Sequence, residues 1–196
     1  MAFTPTLVYA EATPNPSTVK FVANRLIIEP GRQVEYLSEE SCSGSPLAKE
    51  LFRGGYVKTL FFSSNFVSIT KTDSKDWTSL TGPIREFLTD YFTKGLPVIE
   101  EYPEISAAPQ QEAQSQAVAG SPEEQIIGIL EEYIRPAVEQ DGGAITFRSF
   151  DDGVVTVALQ GSCSGCPSSK VTLKSGIENL LTRMVPGVKE VVAEDL

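Results

Sequence analysis

Two thiols separated by two residues are the side chains of this chain best suited to chemistry. Cys163 and Cys166 lie in a Gly-Ser-Cys-Ser-Gly-Cys-Pro segment, residues 161–167, of a chain with 3 cysteines and 0 histidines. Thiolates bind zinc and iron, so the pair supplies half of a tetrahedral metal site. The other half must come from elsewhere, and a second copy of the chain is the most economical source.

The residues around the pair predict a tight turn that leads into a helix. Gly161 and Gly165 permit positive φ, and Pro167 suits the first helical position. Cys166 is therefore expected at or near the N-cap, where unpaired N–H groups and the helix dipole stabilise a thiolate or sulfide. Four serines of the segment are candidate hydrogen-bond donors to sulfur: Ser162, Ser164, Ser168 and Ser169.

Four kinds of site remain open on the residues alone. An iron–sulfur cluster bridging Cys163 and Cys166 of two chains is the favoured interpretation. A thioredoxin-like dithiol–disulfide oxidoreductase fits the strand–turn–helix in part, but no aromatic residue flanks the pair and we expect no parallel crossover. Zinc would need four Cys ligands from two chains. Two small buried structural thiols are the simplest alternative.

The elements that must position the pair form a predicted domain over residues 122–196, in the order helix, strand, strand, cysteine turn, helix, strand. A capping box after Ser121 and apolar residues at helical spacing predict its first helix, which Pro136 should kink or end. An Asp-Asp-Gly turn at 151–153 predicts a hairpin between the strands at 145–150 and 154–159. A last strand is predicted at 188–192.

A second domain is predicted over residues 1–102, and residues 103–121 are predicted to be a flexible linker. Strands are expected at 6–13, 18–22, 34–37, 57–63 and 66–70, and helices at the apolar patterns that follow Pro46 and Trp77. The linker is rich in Ala, Gln and Ser, and it has too little apolar surface to offset the entropy of ordering. The expected fold class is α+β, with two small α/β domains on a tether.

Composition excludes several classes of function. The chain has 196 residues and a net charge of -10, and residues 103–196 carry 6 basic against 14 acidic side chains. A negative surface repels phosphates, so nucleic acid is not an expected partner. No apolar run approaches the length of a membrane span. The first residues lack a leader pattern, so the predicted location is the cytoplasm.

Several spaced motifs strongly resemble the C-terminal domain of the NifU family, over about residues 122–193. The matching motifs are Val-Glu-Gln-Asp-Gly-Gly at 138–143, Leu-Gln-Gly-Ser-Cys-Ser-Gly-Cys-Pro-Ser-Ser at 159–169 and Leu-Lys-Ser-Gly-Ile-Glu at 173–178. The first domain resembles the Nfu N-terminal domain, through residues 13–16, 20–21, 45–48 and 76–77.

The resemblance implies a carrier or scaffold for a 4Fe–4S cluster shared between two chains, and not an enzyme. Cys163 and Cys166 match the ligand positions of the family. Expected partners are client apo-proteins, upstream cluster-assembly proteins and a second copy in a cluster-dependent homodimer. Ala144 departs from the family, since many members have an acidic residue there.

Four further expectations concern the cysteine turn, its neighbouring loop, the third cysteine and the first domain. We expect the cysteine turn to be exposed, so that the thiolates of a client can displace one side of the cluster. Residues 141–143, Asp-Gly-Gly, are either a loop beside the cluster or a plain helix end. Cys42, in a similar Ser-Cys-Ser-Gly-Ser-Pro segment, is expected to be a helix-start coincidence, with a third ligand or a redox role as the alternative. The first domain, which has no ligand set, is expected to recognise client apo-proteins or upstream assembly factors.

Overall fold

The computed structural model describes residues 6–103, 121–164 and 167–195. Backbone contacts divide the chain into two compact units, Met1–Ala107 and Ala108–Leu196. Both contain helices and strands, and each has its own sheet, so the α+β prediction is confirmed. The predicted linker falls almost wholly outside the described residues and stays a prediction. No helix in the described ranges is long and apolar enough to cross a membrane.

The first unit is an antiparallel five-stranded sheet in the order β1-β2-β5-β4-β3. Its strands are β1 (Val8–Ala12), β2 (Thr18–Ala23), β3 (Gln33–Tyr36), β4 (Val57–Ser63) and β5 (Phe66–Lys71). Its helices are α1 (Pro46–Arg53) and α2 (Trp77–Thr93), and a 3-10 turn at Glu39–Cys42 precedes α1. The predicted strands and helices of this unit are therefore present.

Local chemistry explains where the first unit turns. Ser45 caps α1, because its side chain accepts a hydrogen bond from the Ala48 N–H at 3.1 Å and donates one to the Val98 carbonyl at 2.7 Å. The β4–β5 hairpin turns through Ser64, at a φ of 42°. Helix α2 packs on β1 and β2, and helix α1 packs on β4. Fully buried Phe21, Leu88 and other apolar side chains form one core between helices and sheet.

The second unit has the predicted order of elements. Its helices are α3 (Pro122–Ile129), α4 (Arg135–Gln140) and α5 (Pro167–Met184), and its strands are β6 (Gly143–Asp151), β7 (Val154–Gly161) and β8 (Glu190–Asp195). The β6–β7 hairpin turns at Asp152 and Gly153, with φ values of 52° and 90°, as expected for a two-residue hairpin loop.

Pro136 changes the first helix of this unit without ending it. Leu130–Ile134 form one π-helical turn between α3 and α4, and the Arg135 N–H donates to the Leu130 carbonyl five residues back. Proline has no N–H to donate and its ring displaces the carbonyl four residues earlier. Widening into a π turn lets the chain stay helical as far as Gln140.

The expectation of a domain without a parallel crossover is wrong. Strand β7 pairs with β6 in antiparallel and with β8 in parallel, in the sheet order β6-β7-β8. Helix α5 is the crossover that joins the two parallel strands, as such a pairing requires. The cysteine turn therefore lies inside a β–α–β unit, and topology alone does not argue against a dithiol site.

Candidate functional site

The cysteine turn joins the end of β7 to the start of α5. Gly161, the last residue of β7, has a φ of 68°, a conformation that favours glycine. Helix α5 begins at Pro167, as the sequence predicts. Gly165 and Cys166 lie outside the described residues, so the position of the second thiol stays a prediction.

Cys163 is buried, and the predicted exposed turn is wrong for this thiol. The residue is 5% exposed and belongs to the apolar cluster that contains Ile145, Leu159 and Ile177. Burial follows from the approach of two loops, the cysteine turn and the Asp-Gly-Gly segment that ends α4. The sequence gives no signal for such a contact, because the two loops are about 20 residues apart and each is typical of a surface turn.

Gly143 provides the space that the Cys163 side chain occupies. It lies opposite Gly161 in the β6–β7 ladder. A Cβ built on Gly143 would lie 2.8 Å from the Cys163 Sγ and 2.6 Å from the Gln160 carbonyl oxygen, closer than real Cβ atoms approach such neighbours. The thiol therefore rests against bare backbone, and position 143 admits no side chain without movement of the turn.

Ser162 connects the cysteine turn to the Asp-Gly-Gly segment. Its N–H donates to the Gly142 carbonyl at 3.2 Å, and its hydroxyl donates to the Asp141 carbonyl. The residue is only 2% exposed, and its Oγ lies 3.9 Å from the Cys163 Sγ. The serine predicted as a donor to sulfur therefore gives its hydroxyl to a backbone carbonyl, beside the sulfur.

Residues 141–143 end helix α4, as one of the two interpretations holds, and a place beside the cluster stays a prediction. The Asp141 N–H donates to the Ala137 carbonyl at 3.0 Å, and Gly142, at a φ of 82°, donates to the Glu139 carbonyl, which closes helix α4. The same residues then contact the cysteine turn. The segment that ends α4 therefore also forms the cradle of Cys163, and the Asp-Gly-Gly pattern was the sequence signal for the helix end alone.

Ser164 makes a bond inside the turn. Its hydroxyl donates to the Gly161 carbonyl at 2.9 Å, and the side chain is half-buried. It stabilises the turn without reaching residues 141–143. The side chains of Ser168 and Ser169 lie outside the described residues.

Cys42 is a core residue of the first unit. It is 0% exposed, and its Sγ donates to the Ser38 carbonyl at 3.3 Å. Burial raises the pKa of the Cys42 thiol from 9.0 to about 11, so the side chain is protonated at neutral pH. A buried, protonated thiol suits the packing interpretation of Cys42 over a ligand or redox role.

No group of three or more His, Cys, Asp or Glu side chains able to hold a metal ion occurs within the described ranges. The candidate site of this chain is therefore Cys163 with its cradle, together with the predicted contribution of Cys166.

Two family profiles match the chain. The profile "NifU-like domain" matches residues 126–192, which include both cysteines of the turn. The profile "Scaffold protein Nfu/NifU N terminal" matches residues 8–95. Together they cover most of both compact units.

Two curated relatives are similar over nearly the whole chain. A Homo sapiens protein named "NFU1 iron-sulfur cluster scaffold homolog, mitochondrial" is 36% identical over 193 residues, covering 96% of this chain and 73% of the relative. A Drosophila willistoni protein of the same name is 36% identical, covering 94% of this chain and 62% of the relative. These names favour the cluster-scaffold prediction over the dithiol alternative.

A solved structure is similar at a lower level. The solution NMR structure of a NifU-like protein from Saccharomyces cerevisiae gives a TM-score of 0.46 at 23% identity, covering 52% of this chain and 91% of that chain. This likeness is too slight to add to the family assignment.

The predicted cytoplasmic location is contradicted by the relatives, which are named mitochondrial. The prediction depended on the residues of the N-terminus alone. A domain folds by the same packing in either compartment, so the residues of the two units carry no signal that distinguishes them.

Proposed function

Because the chain belongs to the NFU1 family of iron–sulfur cluster scaffold proteins, we propose that it assembles or accepts a 4Fe–4S cluster and transfers it to apo-proteins. The observation that supports this most strongly is the place of Cys163, in a glycine-lined turn between β7 and α5 within the region that matches the NifU-like domain. The cluster is cargo that the chain carries, and the chain is not an enzyme.

The proposed ligands are Cys163 and Cys166 of two copies. A four-iron cluster takes four thiolates, and the chain has 3 cysteines and 0 histidines. Since Cys42 is buried in the other unit, each copy offers two thiols. The homodimer depends on the cluster, because each chain alone supplies half of the ligand set.

The start of α5 suits an anionic cargo. Pro167 is the first residue of this 18-residue helix, so the positive end of the helix dipole, with N–H groups that have no partner within the helix, directly follows the thiols in the chain. Thiolates and bridging sulfides are stabilised there.

Transfer proceeds by exchange of thiolates at iron. Each thiol of a client that binds an iron loses its proton, and each Cys released from iron takes one up, so protons and charges balance without an oxidant or reductant. Two ligands from each chain make stepwise replacement possible, since one chain can leave while the other still holds the cluster.

In this proposal the two units have different roles. The domain at 122–196 carries the cluster, the segment at 103–121 is a flexible linker, and the domain at 1–102 recognises client apo-proteins or upstream assembly proteins. The names of the relatives support a mitochondrial location for these steps.

Cluster transfer to an apo four-iron acceptor protein tests this division. A chain that lacks residues 1–102 should load the same iron and sulfide per chain as the full chain and should transfer several times more slowly. Equal transfer rates for the two proteins would contradict the role of the first domain. Loss of loading in the shortened chain would contradict the assignment of the cluster to the second domain.

A further inference from the structure

The buried position of Cys163 conflicts with bridging. A cluster shared by two chains requires the sulfur of each ligand to face the partner copy. In the structure, however, Cys163 is 5% exposed, with its Sγ against the backbone of Gly143. The thiol must leave this cradle when the cluster binds.

Two backbone positions allow such a movement. Gly142 and Gly161 flank the contact between the two loops, at φ values of 82° and 68°. Glycine has access to more backbone conformations than other residues, so the turn can reorient at these positions with little steric cost. Gly161 belongs to the terminal pair of the β6–β7 ladder, opposite Gly143, so the inner pairs of the two strands need not change.

The hydrogen bonds of Ser162 oppose the movement. The Ser162 hydroxyl and N–H hold the carbonyls of Asp141 and Gly142, and Ser162 is next to Cys163 in the chain. Ser162 is 2% exposed and Asp141 is half-buried, so the bond between them is largely shielded from water. Opening the turn breaks both bonds and exposes their polar groups.

We propose that Ser162 is a positioning residue for cluster binding, and that it keeps the Cys163 thiol in the Gly143 cradle whenever the cluster is absent. The proposal rests on the proposed function, because it concerns how a carrier binds and releases its cargo. Loading displaces the Ser162 bonds, and release restores them. Burial of the thiol therefore competes with cluster binding and favours transfer to a client over retention.

Alkylation of Cys163 in the metal-free chain tests this role. The Cys166→Ser background leaves Cys163 as the one cysteine of the second unit, and mass spectrometry separates its product from that of Cys42. Alkylation of a buried group tracks the population of the open form. Ser162→Ala should raise the rate at Cys163 by about tenfold, the value of one shielded hydrogen bond.

Ser164→Ala is the matched control, since it removes a hydroxyl bond that stays within the same turn. Its rate should remain within about twofold of the parent, because it lacks the link to Asp141. An equal rise in both variants, or no rise in Ser162→Ala, would overturn the proposal. Amide exchange at Val157 and Leu159 in the same samples detects wider unfolding. Loss of protection there by the same factor would also overturn it.

Measurement of cluster binding distinguishes a failure of this proposal from a failure of the proposed function. If Ser162→Ala exposes Cys163 but the full chain binds no cluster, the hold of Ser162 on the thiol stands and the carrier function fails. If the full chain binds the cluster and Ser162→Ala behaves as the parent, the carrier function stands and the positioning role fails. If the positioning role and the carrier function both hold, the chain bearing Ser162→Ala should release its cluster to an acceptor several times more slowly than the parent chain.

Discussion

At the scale of single residues, the main feature of the candidate site is the contact between Gly143 and the buried side chain of Cys163. The sequence predicts a turn around the two cysteines and the helix that follows, because both features depend on residues that are neighbours in the chain. Burial of Cys163 depends on the approach of two loops that are distant in sequence, and no local pattern reports it. The exposed turn was therefore predicted incorrectly for Cys163, and the assignment of Cys163 and Cys166 as ligands stays a prediction.

Gly143→Ala should disturb the site through its Cβ alone. The added carbon would meet the Gln160 carbonyl at 2.6 Å and the Cys163 Sγ at 2.8 Å. We expect the second unit to lose about 1–3 kcal/mol of stability and the chain to bind severalfold less iron. Denaturant unfolding of the metal-free chain and iron content after reconstitution measure the two effects.

Gly176→Ala is the control for that substitution. A Cβ at this exposed position of α5 has nothing within 4 Å, so alanine should be neutral or stabilise the helix by up to about 1 kcal/mol. If the two glycine variants behaved alike, the cradle assigned to Gly143 would be wrong.

The buried thiol of Cys42 predicts a pH dependence for the first unit. Its pKa is about 11 in the folded chain and 9.0 for a free thiol, so above pH 9 the unfolded state binds fewer protons than the folded one. Stability therefore falls between pH 9 and 11, with a slope from Cys42 of up to about 1.4 kcal/mol per pH unit. Trp77, the single Trp of the chain, lies in the first unit and reports its unfolding by fluorescence.

Cys42→Ala should flatten this slope, while Cys163→Ala, in the other unit, should leave it unchanged. Tyr36, whose pKa burial raises from 10.0 to about 12, adds to the slope above pH 10 in every variant. A Cys42→Ala chain with the slope of the parent between pH 9 and 10 would contradict the packing role of Cys42.

At the scale of elements, local signals predicted the strands and helices but not the partners of β8. Hydrophobic alternation indicates that a segment is a strand, and the two-residue turn at 152–153 identifies its hairpin partner. Nothing in the local pattern of β8 indicates that it pairs in parallel with β7. The crossover through α5 was missed for that reason. The sequence also predicted a kink or end of the helix at Pro136, but it did not predict that the change would be a π turn.

The link between α5 and β8 can be tested at Glu178. Its Oε2 accepts a hydrogen bond from the N–H of fully buried Val191 at 3.0 Å. Glu178→Ala leaves that N–H without this partner, so we expect a loss of about 1–3 kcal/mol in unfolding of the second unit. Thermal unfolding followed by circular dichroism measures the change.

Glu190→Ala is the comparison for Glu178→Ala. Glu190 pairs with Lys174 at 3.5 Å, and the two side chains are 55% and 39% exposed, so we expect a change below about 0.5 kcal/mol. An equal loss in both variants would show that Glu178 acts only as a surface charge.

At the scale of the whole molecule, composition predicted two small α/β domains, and the structure contains two compact units with separate sheets. The compartment was predicted incorrectly, because it is not a property of either packed core. The structure of a single chain likewise does not show two copies bridged by a cluster. The bridging follows in our proposal from ligand number, since a four-iron cluster needs four thiolates and each copy offers two.

Anaerobic reconstitution with iron, sulfide and thiol is the most direct test of that central claim. Iron, sulfide and solution mass are measured together on the parent chain and on Cys163→Ser. We expect a brown dimer with about two irons and two sulfides per chain, and a colourless monomer for the variant. A parent chain that stays a colourless monomer, and forms a reversible Cys163–Cys166 disulfide, would contradict the cluster-carrier function.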